Sequence, residues 1–471
     1  MSDELAFASL PELGRLLRAR KVSATELTKL FLDRLERYGP RYNCVVKLTP
    51  ERALEEAARA DKETRSGKWR GPLHGIPYGV KDLVAAKGYP TTWGAEPYRS
   101  QVIDEDATVV ARLGTAGGVL VAKLAMVELA GGMGYNQPNA SFTGPGKTPW
   151  NTGYWSGGSS SGPGSAVAAG LVPFAIGSET SGSILTPAAY CGITGLRPTY
   201  GLVSRHGAMA LSWTMDKLGP MARSAHDCAL VLAAIAGKDP HDPSSVSRLF
   251  RVPPPLPAGG RPKRRIRIAV PKGAIEGIHG EVAVNFTGAM EVLGEIAEIV
   301  PDIELPDLPF GVVAGVIIGA EGASAFDDLI DANRLKDLSA PEDRIGGYSA
   351  LAISARDYLR ALRVRRVMGR AYDELLQSFD AIATPTRTTV SSPLDKPFRE
   401  AYPDIRGGVS MIAASNVVGV PAISVPDGFG LAGLPTGLSL VARAFDEAKL
   451  VRIARAYQAR TDWHNRRPPI D

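Results

Sequence analysis

The sequence predicts an α/β protein in which one sheet is covered by helices on both faces. Three observations predict it. The runs "GIPYGV", "GVLVAKLAM" and "VPFAIG" are apolar along their whole length, as strands must be when neither face meets water. Helix-sized stretches, "ATVVARLGTAG" and "SAVAAGL", alternate with them. Finally, 471 residues at 44% hydrophobic and 22% charged can fill a large core.

Taken in order, the chain opens with helices. Ser23 and Glu26 form an S-x-x-E capping box, and Leu27, Leu30, Phe31, Leu35 and Tyr38 recur at helical spacing until Gly39-Pro40, where the helix is expected to end. From Leu73 the strand–helix alternation begins. The Pro- and Gly-rich "VPPPLPAGGRPKRR", Val252 to Arg265, reads as a surface connection before the strand-like "IRIAV". Near the end, "AISVP" and "GLSLVA" read as strands around the loop "DGFGLAGLPT", and "DEAKLVRIARAYQARTD" as a closing helix. There is no internal repeat.

Composition excludes several classes. The net charge of +5 is small for this length, and the basic clusters "RPKRR" (Arg261 to Arg265) and "RVRR" (Arg363 to Arg366) contain no stacking aromatics. Solvated surface, not nucleic-acid contact, is expected. Cys44, Cys191 and Cys228 are far apart and form neither a disulfide framework nor a zinc motif. The N-terminus lacks a signal peptide's basic and apolar regions, and the longest apolar run, Phe310 to Ala320, stops at Glu321, too short to cross a bilayer. The expectation is a cytoplasmic protein without membrane or nucleic-acid partners.

Three glycine motifs fail on context. "GFGLAG", Gly428 to Gly433, follows a strand but leads into another strand, not a phosphate-binding helix. "GPGKT", Gly144 to Thr148, lacks the first P-loop glycine and is followed by Pro149. "GSSSG", Gly158 to Gly162, would make Ser160 the nucleophile of an α/β-hydrolase esterase, but loop, not strand, precedes it.

"GSETSGS", Gly177 to Ser183, is the stronger candidate, because small residues after a buried strand let successive N–H groups converge. Ser183 could attack a carbonyl there while the N–H groups of Thr180 to Ser183 hold an oxyanion; alternatively it caps the helix "ILTPAAY". His206 and His226 lack a recognisable setting as its base. Lys81, a single cation ending an apolar strand, would serve if held neutral, or would merely pair with an acid such as Asp82.

Taken together, "GIPYGVKD", "GGSSSGPGSAVAAG", "IGSETSGSILTPAAYCGITGLRPTYG" and "DKLGPMARSAHDCALVLAAIAG" resemble, in order and spacing, the amidase signature family. The likeness extends to "FDAIATPT" and "SNVVGVPAISVPDGFGLAGLPTGLSLV". It implies an α/β/α sandwich with a large mixed central sheet, formed by one domain over 1–471. Within it, 1–70 would be helical covering, 71–240 the catalytic core, 241–378 a variable helical cap and 379–471 a return to the core sheet.

The resemblance also implies a Ser–cisSer–Lys triad. Lys81 matches the lysine, Ser159 the bridging serine with a cis peptide before it, and Ser183 the nucleophile. Backbone N–H groups of Thr180, Ser181, Gly182 and Ser183 would form the oxyanion hole, and neither metal nor organic cofactor would be needed. The chain departs from the family's common D-x-G-G-S-I-R-x-P by Glu179, Ser181 and Leu185, and has Ser439 where many members carry glutamine. These departures favour a stand-alone amidase over the glutaminase component of tRNA amidotransferases.

Substrate contacts are expected from Gly131, Gly132, Met133, Tyr135 and Trp155 in the loop "GGMGYNQPNASFTGPGKTPWNTGYW" and from Arg205 in "SRHGAMALSWTMD". The segment Phe310 to Phe326 is expected to border the same cavity. Their Trp, Tyr, Met and small residues suggest a small, uncharged, apolar or aryl amide, with esters and carbamates as further substrates. A monomer or homodimer is expected.

Overall fold

The computed structural model describes residues 2–256 and 265–470. Arg261 to Arg264 of the first basic cluster lie outside the described residues. Among the described residues, eleven strands form one mixed sheet: β1 (Val45–Leu48), β2 (Pro77–Lys81), β3 (Val119–Leu124), β4 (Phe174–Glu179), β5 (Thr194–Arg197), β6 (Lys217–Ala222), β7 (Ile266–Pro271), β8 (Ala297–Ile303), β9 (Ala381–Pro385), β10 (Ala422–Phe429) and β11 (Pro435–Val441). Their order across the sheet is β1-β3-β2-β4-β6-β5-β10-β11-β9-β7-β8. Every residue of β2, β3, β4, β5, β6, β9 and β11 is buried, so layers cover both faces, as the continuous apolar runs predict. The 241–378 segment, expected as a helical cap, also contributes β7 and β8.

The capping box forms as expected: Glu26 N–H donates to Ser23 Oγ at 3.1 Å and Ser23 N–H to Glu26 Oε2 at 2.8 Å. The helix does not stop at Gly39-Pro40. It runs from Ala24 to Tyr42 and is closed by Asn43 in the left-handed region, φ 50°. A proline in the last turn forfeits one internal hydrogen bond where few remain to lose, and Asn43 supplies the terminus instead. "GFGLAG" is the β10–β11 hairpin turn, with Gly433 N–H donating to Gly430 O at 3.0 Å. Arg365 of the second basic cluster is not free surface, because it donates to the carbonyls of Val417 and Thr214 at 2.6 and 2.7 Å. Among the described residues, no helix is long and apolar enough to cross a membrane.

The topology places the site. β2 and β4 are parallel neighbours, registered Gly79 to Ala175 and Val80 to Ile176. Lys81 and the turn after Glu179 therefore leave the sheet at the same, carboxyl end, where open α/β sheets bind ligands.

Candidate active site

Lys81 ends β2 with its amine wholly enclosed (0% exposed). Its Nζ donates to Ser159 Oγ at 2.6 Å and to Ser178 Oγ at 2.9 Å. Burial pulls the amine down from 10.5 to about 7, against the opposing pull of Asp216 and Glu179. Among the described residues no carboxylate pairs with it, so the expectation that Asp82 might do so is not met: Asp82 pairs with Lys123 at 3.1 Å.

Ser159 is 1% exposed and follows a cis peptide bond from Gly158. Its carbonyl accepts Val127 N–H at 3.1 Å, and the next residue, Ser160, donates its N–H to Ser183 O at 3.2 Å. The two Gly/Ser loops are thus stitched together, with Ser183 8% exposed at their junction. Ser160 is a different case. Its hydroxyl donates to Ser178 O at 3.2 Å and accepts Ser178 N–H at 3.3 Å, which commits it to β4.

Glu179 organises the turn between Ser178 and Ser183. Its Oε2 accepts the N–H groups of Ile184 and Leu185 at 2.8 and 3.0 Å. Oε1 accepts Arg197 Nη1 at 2.8 Å and Asn416 Nδ2 at 2.7 Å. Burial by itself would raise this carboxyl, but Arg197, Asn416 and the backbone donors hold it below its ordinary value. The N–H groups of Thr180, Ser181, Gly182 and Ser183 have no acceptor among the described residues. Gly182 adopts φ +94°, a conformation side chains disfavour, and so lets the turn close. Thr180 is fixed separately, donating through Oγ1 to Asp216 at 2.6 Å. Leu185, which lacks the family's guanidinium, is wholly buried in an apolar cluster with Met411 and Ile412, while Arg197 supplies the cation for Glu179. Ser439 lies in β11 opposite Ser424 and Thr384.

Two cavities flank this turn. One, of about 590 Å³, is bounded by Gly158, Ser181 and Thr186 together with Tyr135, Trp155, Tyr190, Phe398, Tyr402 and Arg387. The other, of about 480 Å³, is bounded by Ser178, Thr180, Asp216 and residues 205–211.

The expected substrate residues divide between them. Tyr135 and Trp155 line the first cavity. Gly131 packs under the Tyr135 ring: an added Cβ would lie 2.4 Å from its Cε1. Gly132 is pressed against Leu211, and Met133 is buried beneath Gly346 and Gly347, so neither lines either cavity. Arg205 lines the second cavity, anchored to Trp213 O at 2.6 Å and Ser244 Oγ at 2.7 Å. Phe310 to Phe326 borders neither. Its helix packs on the helix Ala355–Leu375, and its Glu321 holds Thr214 and Tyr358. Apart from Glu321 and Ser324 that segment is apolar, which suits helix–helix packing as well as a pocket.

His206 stacks on His241 beside the second cavity, and His226 lies in a separate cleft near Asp227 and Arg455. The sequence reading did not single out Ser178, Arg197, Asp216, Asn416 or Arg387. Arg197 and Arg387 shared the signal that marked Lys81, a lone cation at the end of an apolar strand. Among the described residues, no group of three or more His, Cys, Asp or Glu is placed to hold a metal ion.

The amidase family profile matches residues 26–451. The chain belongs to the amidase signature family. It is 38% identical to the A-type subunit of glutamyl-tRNA(Gln) amidotransferase from Chloroflexus aggregans, over 99% of both chains. It is 37% identical to the protein of the same name from Methylococcus capsulatus, over 98% of both. Among solved structures, the peptide amidase of Stenotrophomonas maltophilia superimposes with a TM-score of 0.82 at 31% identity, over 98% of each chain. The corresponding amidotransferase protein of Thermotoga maritima gives 0.78 at 28%, over 97% of this chain and 95% of that one. The family is thereby fixed, and both a named amidase and named amidotransferase components stand near this chain.

Proposed function

We propose that this protein is an amide hydrolase working through a serine acyl-enzyme. The observation that carries the reading is the enclosed Lys81 amine, lowered to about 7 and 2.6 Å from Ser159 Oγ. An amine that is half neutral near pH 7 can accept a proton that an ordinary lysine could not. In this reading Lys81 draws the proton of Ser183 through the Ser159 hydroxyl, and Ser183 attacks the acyl carbon. The oxyanion is received by the uncommitted N–H groups of Thr180 to Ser183. The proton returns through Ser159 to the leaving nitrogen, and water then hydrolyses the ester. The aromatic wall of the larger cavity supports small aryl or apolar substrates. Esters and carbamates present the same carbonyl and are accepted on the same chemistry.

A second reading has its own support. The relatives named as amidotransferase components match almost the whole chain, and on that reading it releases ammonia from an amide donor within a larger assembly.

The test is hydrolysis of a simple anilide by purified protein, with mass spectrometry after fluorophosphonate treatment. Ser183→Ala and Lys81→Ala are each expected to abolish turnover and Ser183 to carry the adduct, whereas Ser160→Ala still forms the adduct at Ser183. Wild-type rates in Ser183→Ala would end the proposal. Turnover that appears only on adding the other amidotransferase components would favour the second reading.

A further inference from the structure

The larger cavity joins an aromatic wall to several serine and threonine side chains, and of the three arginines at it only Arg387 is not exposed. Arg387 lies two residues beyond the end of β9 and lines that cavity, beside the phenols of Tyr190 and Tyr135. No carboxylate pairs with Arg387 among the described residues, and its Nε is enclosed without an acceptor. The groups that act on its charge are the two phenols, not an acid. A second orphan donor shares the cavity: Trp155 Nε1 is also enclosed and without an acceptor. Two other buried cations are answered by acids, Arg197 by Glu179 and Lys123 by Asp82. Desolvating a charge without a partner is costly, and a fixed guanidinium fork is matched by a carboxylate.

We infer that Arg387 is a specificity-determining residue that selects amide substrates bearing a carboxylate, whose body lies against Tyr135 and Trp155 and whose scissile carbonyl reaches Ser183 past Ser181. The inference rests on the hydrolase reading above and narrows it: the expected uncharged substrate becomes an apolar or aryl amide with an anionic end. The space, about 590 Å³, suits a small molecule of this kind. The exposed Arg399 and Arg406 stand at the same cavity and add to its positive field.

Two matched pairs test this. Glutaryl and pentanoyl p-nitroanilide differ by a carboxylate on the acyl side; 4-acetamidobenzoate and 4-acetamidotoluene differ on the amine side. In at least one pair the carboxylate member is expected to have a kcat/KM at least tenfold higher. Arg387→Gln should reduce that ratio at least tenfold, and Arg387→Lys should restore part of it. Thermal unfolding of each variant shows that the fold is retained.

A binding experiment separates this proposal from the hydrolase reading. Ser183→Ala, titrated calorimetrically with the same compounds, should bind a carboxylate member more tightly than its neutral partner. The added Arg387→Gln change should erase the difference. Equal affinities within both pairs, or a preference that survives Arg387→Gln, would overturn the assignment of Arg387 even if hydrolysis is found. Absence of all hydrolysis with the carboxylate preference intact would overturn only the hydrolase reading.

Discussion

The enclosed amine of Lys81 gives the sharpest prediction, and its size follows from its surroundings. The amine lies in the sheet with two serine hydroxyls as hydrogen-bond partners and, among the described residues, no carboxylate paired with it. Lowering it from 10.5 to about 7 corresponds to a free energy on the order of 5 kcal/mol against the charged form. At pH 7 about half of such amines are neutral, against about one in 3000 for an unperturbed lysine. kcat/KM for an aryl amide should therefore rise with pH through about 7 and then level. Asp216 favours the charged form, so Asp216→Asn should move the rise to lower pH. Lys81→Arg keeps a permanent charge and should lower kcat/KM by a factor on the order of a thousand or more. Stability carries the same signature. Between about 7 and 10 the unfolded chain binds a proton at this lysine that the folded chain does not, so the wild type gains stability with rising pH relative to Lys81→Met. The measurements are pH–rate profiles from pH 5 to 10 and unfolding temperatures of both proteins over that range. A rise centred above pH 9, or Lys81→Arg at wild-type rates, would refute the reasoning.

Two further outcomes follow from buried carboxyls. Glu179→Gln should lower stability by about 3–5 kcal/mol, because Arg197 is left buried without its counter-charge and the new amide N–H groups meet donors. Turnover should fall with it as the turn loosens, and an unfolding temperature within a degree of wild type would count against this account. Asp343, held against Glu128, is pushed up to about 9 by burial and by that neighbouring carboxylate, with Glu342 adding to the effect. Its contribution to stability is complete below about pH 4 and is lost as pH rises through about 9. Asp343→Asn should therefore lose less stability than wild type between pH 6 and pH 9 in thermal unfolding; parallel losses would show the pair to be uncoupled from folding.

The local elements were legible because their determinants are neighbours in sequence. Continuous apolar runs marked β2, β3 and β4, and Ser23 with Glu26 marked a helix start that forms as expected. Lys81 and Ser183 were candidates from their local settings, whereas Ser159 was identified only through the likeness of its block to the amidase signature family. Pro40 misled because proline's penalty depends on its place in the helix, and the close at Asn43 is a property of the finished turn.

By itself, then, the sequence determined the strand–helix alternation, the family and the three side chains proposed for the chemistry. Tertiary structure alone decided which charges are answered. Glu179 collects Arg197 from β5 and Asn416 from a helix 237 positions away. It also separated Arg205 from Tyr135 and Trp155, and brought Arg387 to the latter pair. The physical reason is that backbone preference and apolar periodicity act over a few residues. The energy of a charge is set by whatever distant segments enclose it, and no local pattern records that.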